Sequence, residues 1–358
     1  MNTELLIQAR QRIIGSLKLY EKYQLEFLSH PVTKNYIFID RKYGTNRYES
    51  YKDNQLYGNG AAYRYAHNLK ADSKLHVVIP HGFMPGDIVY SKELLAELPI
   101  ACFSDHAKCK FKRVAEKYKR KVRLFSSVHP FQSLLHKVDK LKSSIGKDIE
   151  PTEEAIFFPL HSTGNIKSNM HSAEDCGKST VELLQNKYKN VNLCIYFIDF
   201  MKLKKSGNWD SYKSQFNKVY CCGSRYEPAY LLNLALILKE HKYLITEGVG
   251  SHIFFGSMSG TKLDLINYNA SAGTYNFKDE MDRPDKEARK KNFEALAELH
   301  CILDECKDRK ELIINRHVSH YSSLNEQNIE KNYIQAIQES TCKGLEEGFD
   351  DLVYPLIE

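Results

Sequence analysis

Three apolar runs of this chain stop abruptly on hydroxyls, imidazoles and glycines. "EAIFFPLHST" carries Ile156, Phe157, Phe158 and Leu160 and ends on His161, Ser162 and Thr163. "LHVVIPHG" ends on His81 and Gly82, and "KYLITEGVGSH" on Glu247, Gly248, Gly250, Ser251 and His252. Such side chains donate hydrogen bonds to phosphate or carboxylate oxygens, and an imidazole can also take a proton from a hydroxyl.

"EGVGSHIFFGSMSGTK" is the most specific stretch. Gly248 and Gly250 permit a tight turn and a close approach to a ligand. Ser251 and His252 then open a helix, whose free N–H groups suit phosphate. The Walker spacing GxxxxGK[ST] is absent. The plain alternative is a strand–helix turn with a serine cap. For "HST" it is a helix cap plus one surface histidine. "IPHGFMPGD" offers His81 and Asp87 as general bases. Asp40, Asp105 and His129 also fall at strand ends, and the sequence does not choose among these acids and bases. "CCGSRYEP" sets Gly223, Ser224, Arg225 and Glu227 ahead of a helix. Arg225 can pair with phosphate or carboxylate. Glu227 can hold ribose hydroxyls or only complement a helix dipole.

These residues must be held by regular elements. Residues Thr3 to Leu28 have helical spacing. "NYIFID", "LHVVIP", "PIACFS" and "VRLFSSVHPF" read as strands, with the basic helix "AKCKFKRVAEKYKRK" before the last. "HKVDKLKSSIGKDIEPTEE" is a charged break. The strand–helix alternation then resumes: "AIFFPL", the helix "HSAEDCGKSTVELLQNKY", "VNLCIYFID" ending on Asp199, "KVYCCG", a helix opening at Glu227-Pro228, "KYLITEG", a small-residue helix and "KLDLIN". Asp285 to Asp308 and Gln327 to Glu346 are helical in pattern. This predicts an α/β fold of two Rossmann-like domains, residues 1–145 and 146–285, closed by C-terminal helices over 286–358. In open parallel sheets the ligand lies at the carboxyl ends of the strands, so the polar tips are expected to face one cleft.

The 358 residues suffice for two cores, and 42% apolar content excludes a disordered or fibrous chain. A formal charge of +6 is too small to argue for nucleic acid. No apolar run spans a bilayer and no signal-peptide core opens the chain, so a soluble cytoplasmic protein is expected. The nine cysteines include no CxxC pair, which gives no support to a zinc or redox site. The basic stretch "KCKFKRVAEKYKRKVR" reads by default as a solvated helix face; docking to an anionic membrane or a charged glycan is the sharper option.

The ordered set HG, "SVHPF", "FFPLHST", "LCIYFIDF" and "LITEGVGSHIFFGSMSGTKL" resembles the glycosyltransferase-like proteins of bacterial capsule and lipopolysaccharide O-antigen clusters. More distantly it is similar to the two-domain GT-B enzymes, including sialyl- and polysialyltransferases. The resemblance covers Tyr36 to Asn267. It implies a GT-B clamshell and transfer of a sugar from a CMP- or UDP-activated donor to a growing glycan. In such enzymes an HP motif and a later Ser/Thr pair hold the donor's CMP; His129-Pro130 and Ser251-His252 match them loosely. The family's acidic-acidic-Gly base motif is missing. The resulting expectation is a metal-independent, inverting glycosyltransferase with no cofactor. Its donor would lie on the second half and its glycan or lipid-linked acceptor on the first, with peripheral contact at the cytoplasmic face of the inner membrane and no nucleic acid. A nucleotide-sugar epimerase on the same fold and a non-catalytic glycan-binding scaffold are the rivals.

Overall fold

The structure is a computed structural model. It describes residues 3–28, 49–70, 73–80, 82, 89–145, 152–159, 166–168, 178–266, 273–275, 294–296, 298, 299, 301–303 and 305–321.

The first half holds helices α1 (Thr3–Tyr23), α2 (Asn59–Ala66) and the single turn α3 (Ser91–Leu94). These are followed by strand β1 (Ile100–Cys102), helix α4 (Asp105–Lys117), strand β2 (Leu124–Ser126) and helix α5 (Pro130–Ile145). β1 and β2 are parallel, and Val78 adds a parallel bridge to Ile100. Leu75–Pro80, expected as a strand, pairs among the described residues through such bridges. The buried Asn54 amide bonds this segment: its Nδ2 donates to the Val77 carbonyl (2.7 Å) and its Oδ1 accepts from the Ile79 amide (2.9 Å). Side chains alternate across this small sheet. Val78, Ile100 and Cys102 meet Phe111 and Ala115 of α4, while Val77, Ile79, Ala101 and Phe103 meet Tyr63 of α2.

The second half is one five-stranded parallel sheet. Its chain order is β3 (Thr152–Phe158), α6 (Lys178–Lys187), β5 (Val191–Cys194), α7 (Phe197–Ser206), α8 (Trp209–Lys213), β6 (Val219–Tyr220), α9 (Tyr230–Glu240), β7 (His241–Thr246), α10 (Ser251–Met258) and β8 (Lys262–Leu265). Between β3 and α6 lies β4 (Ile166–Ser168), which pairs antiparallel with β9 (Gly273–Tyr275); α11 (Lys310–Tyr321) follows. Across the sheet the order is β6-β5-β3-β7-β8, that is third, second, first, fourth, fifth in the chain. Helices cover both faces. Ala155, Phe157, Leu193 and Ile245 face α6, α7 and α8, whereas Ile156, Leu244 and Leu263 face α9 and α10. α9 is apolar on nearly every side, as a helix buried between layers must be, and α5 packs against it.

Two expectations need correction. The run "VNLCIYFID" does not remain a strand to Asp199: β5 stops at Cys194 and Phe197 starts α7. The aromatic residues favour a strand locally, but Phe197, Phe200 and Leu203 recur at helical spacing and are all buried. Asp199 is buried in that helix, with Lys202 Nζ at 3.7 Å. The helix expected to open at Glu227-Pro228 begins at Tyr230, and those two residues belong to the preceding turn. The helical pattern over Gln327 to Glu346 lies outside the described residues. Among the described residues no helix is long and apolar enough to cross a membrane.

α1 packs on the second-half sheet. Tyr20 and Phe27 join the cluster of Phe197, Phe200 and Trp209, and Leu28 bridges Tyr220 to cover the outer edge of β6. Phe27 lies edge-on to Phe200 (4.8 Å) and Trp209 (6.1 Å). Phe27→Ala is therefore expected to cost about 3–5 kcal/mol in urea unfolding and to shift the emission of Trp209, the chain's single tryptophan, to the red. Unchanged stability and emission would show that this contact does not hold the N-terminal segment to the sheet.

Candidate functional site

The winding of the second-half sheet reverses between β3 and β7. The chain leaving β3 runs to α6 on one face, and the chain leaving β7 runs to α10 on the other. In open parallel sheets such a reversal is where a ligand is expected, at the carboxyl edge. "HST" follows β3 and "EGVGSH" follows β7, so the two most polar tips leave adjacent strands.

The β7 tip is ordered by its own side chains. Thr246 Oγ1 lies 2.8 Å from His252 Nε2 and donates to the Gly248 carbonyl (3.1 Å). The His252 ring stacks flat on Phe158, the last residue of β3, at 5.5 Å and 3°. The imidazole is thus held between the two strand ends, half-buried, beside the first turn of α10. A Cβ on Gly250 would stand 2.9 Å from that ring. Glu247 Oε1 accepts from Thr180 Oγ1 of α6 (3.3 Å), which ties the β7 tip across to the other connection.

The β5 and β6 tips carry an aromatic group. Tyr196 follows β5, and its hydroxyl lies 3.3 Å from that of Tyr57. Burial first, then Tyr57, pushes the Tyr196 phenol up, so it stays protonated. Arg225 is exposed, donates to Tyr226 Oη (2.8 Å) and lies over that ring. Glu227 is buried, with its side chain folded against Gly223, where a Cβ would be 2.5 Å away. Ser224, also buried, accepts through Oγ from the Tyr226 amide (3.3 Å).

First-half loops touch this edge on both sides of the β3 tip. On the β5–β6 side, the Tyr57 amide donates to the Arg225 carbonyl (2.6 Å) and its ring packs edge-on to Tyr230. Gly58 follows at φ +69; a Cβ there would sit 2.4 Å from the Pro228 carbonyl oxygen, so the turn closes only with glycine. On the β7 side, Gly82 at φ +75 comes so near that a Cβ would be 2.9 Å from Ser251 Oγ. Beside it, His129 is buried between Phe103 (4.7 Å) and Phe255 of α10 (5.6 Å), and its Nδ1 accepts from the Phe131 amide. His129 is thus an interface residue rather than an open cleft group. Asp105 is the exposed first residue of α4, behind the cap formed when Ser104 Oγ accepts from the Ala107 amide (3.1 Å), and it complements that helix end.

The structure therefore brings Gly82, Ser251 and His252 together on one side and Gly223, Ser224, Arg225 and Glu227 on the other. His81, Asp87, Asp40, His161, Ser162 and Thr163 lie outside the described residues. Tyr57, Gly58, Tyr196, Tyr226, Tyr230 and Phe158 are residues that strand-end reasoning missed. The one usable signal was "LYGNG", a tyrosine followed by glycines in a polar loop. Among the described residues no three His, Cys, Asp or Glu side chains converge as metal ligands.

The opposite edge of the sheet is closed. Lys218 donates to both Glu154 oxygens (3.1 and 2.9 Å), Asn192 donates to Glu154 (2.8 Å), and His241 joins Asn192 (2.8 Å) and the Ile237 carbonyl (2.7 Å). Polar groups there bind one another across the starts of four strands, β3, β5, β6 and β7; the glycines and hydroxyls gather at the carboxyl edge.

No family model matches the chain, and no curated protein matches it. Among solved structures it is similar to the UDP-GlcNAc 2-epimerase from Neisseria meningitidis bound to UDP-GlcNAc, at 12% identity and a TM-score of 0.36, over 80% of this chain and 82% of that one.

Burial pushes the His129 imidazole from its ordinary 6.5 down to about 3. The unfolded chain binds that proton well before the folded one. Its contribution to stability is therefore full above about pH 6.5 and is lost as the pH falls toward 3. Lowering the pH from 7 to 5 is expected to cost about 2 kcal/mol from this group alone. Urea unfolding at both values checks it, with His129→Asn flattening the dependence by that amount. Identical pH slopes for wild type and variant would contradict a buried neutral ring.

Proposed function

We propose that the chain is a glycosyltransferase that binds a nucleotide-activated sugar in the crevice between the β3 and β7 tips. One observation carries this reading: the strand order reverses at the two neighbouring strands whose exits bear "HST" and "EGVGSH". A crevice at such a reversal suits a nucleotide, because backbone amides at a helix start and nearby hydroxyls meet the phosphates. Ser251, with Ser162 and Thr163, supplies those hydroxyls. Arg225, exposed toward the β6 tip, is suited to a second phosphate oxygen, and the buried Glu227 braces the Gly223 turn that holds it.

The first-half loops at Gly82 and Tyr57 bring the other sheet's carboxyl edge to the same place, which supports a GT-B-like clamshell with the acceptor on the first half. In the reaction, the acceptor hydroxyl oxygen attacks the anomeric carbon. The bond from that carbon to the donor phosphate breaks, and the phosphate leaves with the electron pair. His81 or Asp87, in the segment around Gly82, takes the hydroxyl proton. Amides at the start of α10 stabilise the charge that grows on the leaving phosphate. The scheme calls for no metal or cofactor. A growing cell-surface glycan is the acceptor class.

Calorimetric titration with CMP, CDP and UDP tests the binding step. At least one is expected to bind, and Ser251→Ala with His252→Ala is expected to weaken it by about 1.5–3 kcal/mol, or roughly 10- to 150-fold. Unchanged affinity in a folded double variant would contradict the site. Conversion of a nucleotide sugar without any acceptor would make the activity epimerisation rather than transfer.

A further inference from the structure

The turn Lys52–Gly58 carries two neighbouring side chains that hold the chain on either side of Gly82. Asn54, fully buried, bonds the segment before it: Nδ2 donates to the Val77 carbonyl (2.7 Å) and Oδ1 accepts from the Ile79 amide (2.9 Å). Asp53 bonds the segment after it, through an ion pair with Lys92 in α3. Tyr51, at the head of the turn, shares one buried cluster with Val78, Val89 and Leu94, so apolar packing follows the same two routes. Glu93 caps α3 by accepting from the Tyr90 amide (3.2 Å), which fixes where that helix starts.

The same turn is tied to the second half. The Tyr57 amide donates to the Arg225 carbonyl (2.6 Å), its hydroxyl lies 3.3 Å from that of Tyr196, and Gly58 stands against the Pro228 carbonyl. Tyr57 and Gly58 both have left-handed backbone, at φ +57 and +69. For a tyrosine that conformation costs energy and persists where its surroundings fix it. The Asn59 amide donates back to the Asn54 carbonyl and closes the turn on itself. Its root is fixed by the buried Glu49–Arg64 ion pair (2.7 Å), with Asn54 Nδ2 also reaching Glu49 Oε2 (3.3 Å). One turn therefore sets Gly82, opposite Ser251, relative to Tyr57, opposite Arg225.

We propose that Asp53 and Asn54 are positioning residues, which set how the Gly82 arm meets the carboxyl edge of the second-half sheet. The assignment rests on the reading of that edge given above, in which a group beside Gly82 takes the acceptor's proton while the second half holds the nucleotide. Two magnitudes favour position over stability. An ion pair as open to water as Asp53–Lys92 adds little to the stability of a fold. A shift of about 1 Å in a reacting group costs roughly 10²-fold in rate. Asp53 and Asn54 act through Lys92, Val77 and Ile79 rather than on a ligand. Their loss is therefore expected in turnover and not in nucleotide affinity.

A charge swap on the full chain is the test. Asp53→Lys, Lys92→Asp and the double variant are compared with wild type by calorimetry against CMP, CDP and UDP, by urea unfolding, and by nucleotide release. Release is measured from UDP-GlcNAc or, where CMP is the nucleotide bound, from a CMP-activated sugar. Asp53→Lys is expected to lower release by about 10²-fold while nucleotide affinity stays within about twofold. The double variant, which restores an ion pair with its signs exchanged, is expected to recover most of the loss. Asn54→Ala should show the same split between turnover and affinity, and the swap keeps the test open where that variant fails to fold. Glu153→Gln, which removes the Lys242 ion pair at the amino edge, should leave both readings unchanged. Wild-type turnover in Asp53→Lys would overturn the positioning and leave the nucleotide site standing. A loss that follows stability and is not repaired by the swap would make the pair structural. A wild-type chain that binds none of the three nucleotides would remove the reading of the edge itself, and the assignment with it.

Discussion

The reversal of winding between β3 and β7 is the constraint on which the rest of this molecule depends. β3 pairs with β5 on one side and β7 on the other, and it is the only described strand of that sheet whose two neighbours are reached by connections on opposite faces. Backbone amides and carbonyls within the ladder satisfy one another. At the carboxyl edge the ladder continues just past the strands, with the Ile195 amide donating to the Tyr220 carbonyl and the Ile266 amide to the Thr246 carbonyl. Thr246, Gly248 and His252 supply local partners at the β7 tip, and Ser224 with the Tyr226 amide does so at the β6 tip. The amino edge is closed by the Lys218–Glu154–Asn192–His241 chain of hydrogen bonds. Among the described residues, side chains of neighbouring strands therefore bond one another at the amino edge, while at the carboxyl edge Thr246 and His252 bond within their own turn.

The first half is joined to that carboxyl edge by contacts that tolerate little variation. A methyl group at position 58 would meet backbone oxygens, and backbone cannot rotate away as a side chain can. Tyr57 itself sits at φ +57, a conformation that costs a non-glycine residue energy and persists where its surroundings fix it. Its amide meets Arg225 after β6, its hydroxyl Tyr196 after β5, and its ring Tyr230 at the start of α9. Ala62, Phe131, Leu134 and Val138 extend the same junction into the core shared with α9. A ligand in the crevice would accordingly meet both halves through loops already braced by buried contacts.

Much of the architecture was legible in the residues. Ile156-Phe157-Phe158 and Tyr243-Leu244-Ile245-Thr246 are apolar runs too short for helices, and both are strands. The segment Leu231–Leu238, apolar except for Asn233, is a buried helix, and Ser251–Met258 is a helix after a glycine turn. Tertiary packing decided the rest. Phe197 and Phe200 look like strand residues until their helical spacing is matched to a core that includes Tyr20 and Phe27, far away in sequence. Asn54 bonds the Val77 carbonyl and the Ile79 amide with one side chain, which no periodicity signals. Polar strand ends pointed to the β7 and β6 tips, but Tyr57 and Tyr196 meet across 139 positions, and an aromatic in a loop gives no hint of its partner. His129, singled out as a cleft group, is a buried ring between two phenylalanines, because "SVHPF" carries the same composition whether its histidine faces solvent or core.

The central claim is that a nucleotide sits where the β3 and β7 connections part. Amide hydrogen exchange, followed by mass spectrometry with and without a saturating nucleotide, addresses it most directly. The account predicts slowed exchange in peptides covering residues 158–165 and 247–254, with no change at the amino edge around Asn192 and Lys218. Protection confined to other segments, or none at any nucleotide concentration, would contradict it.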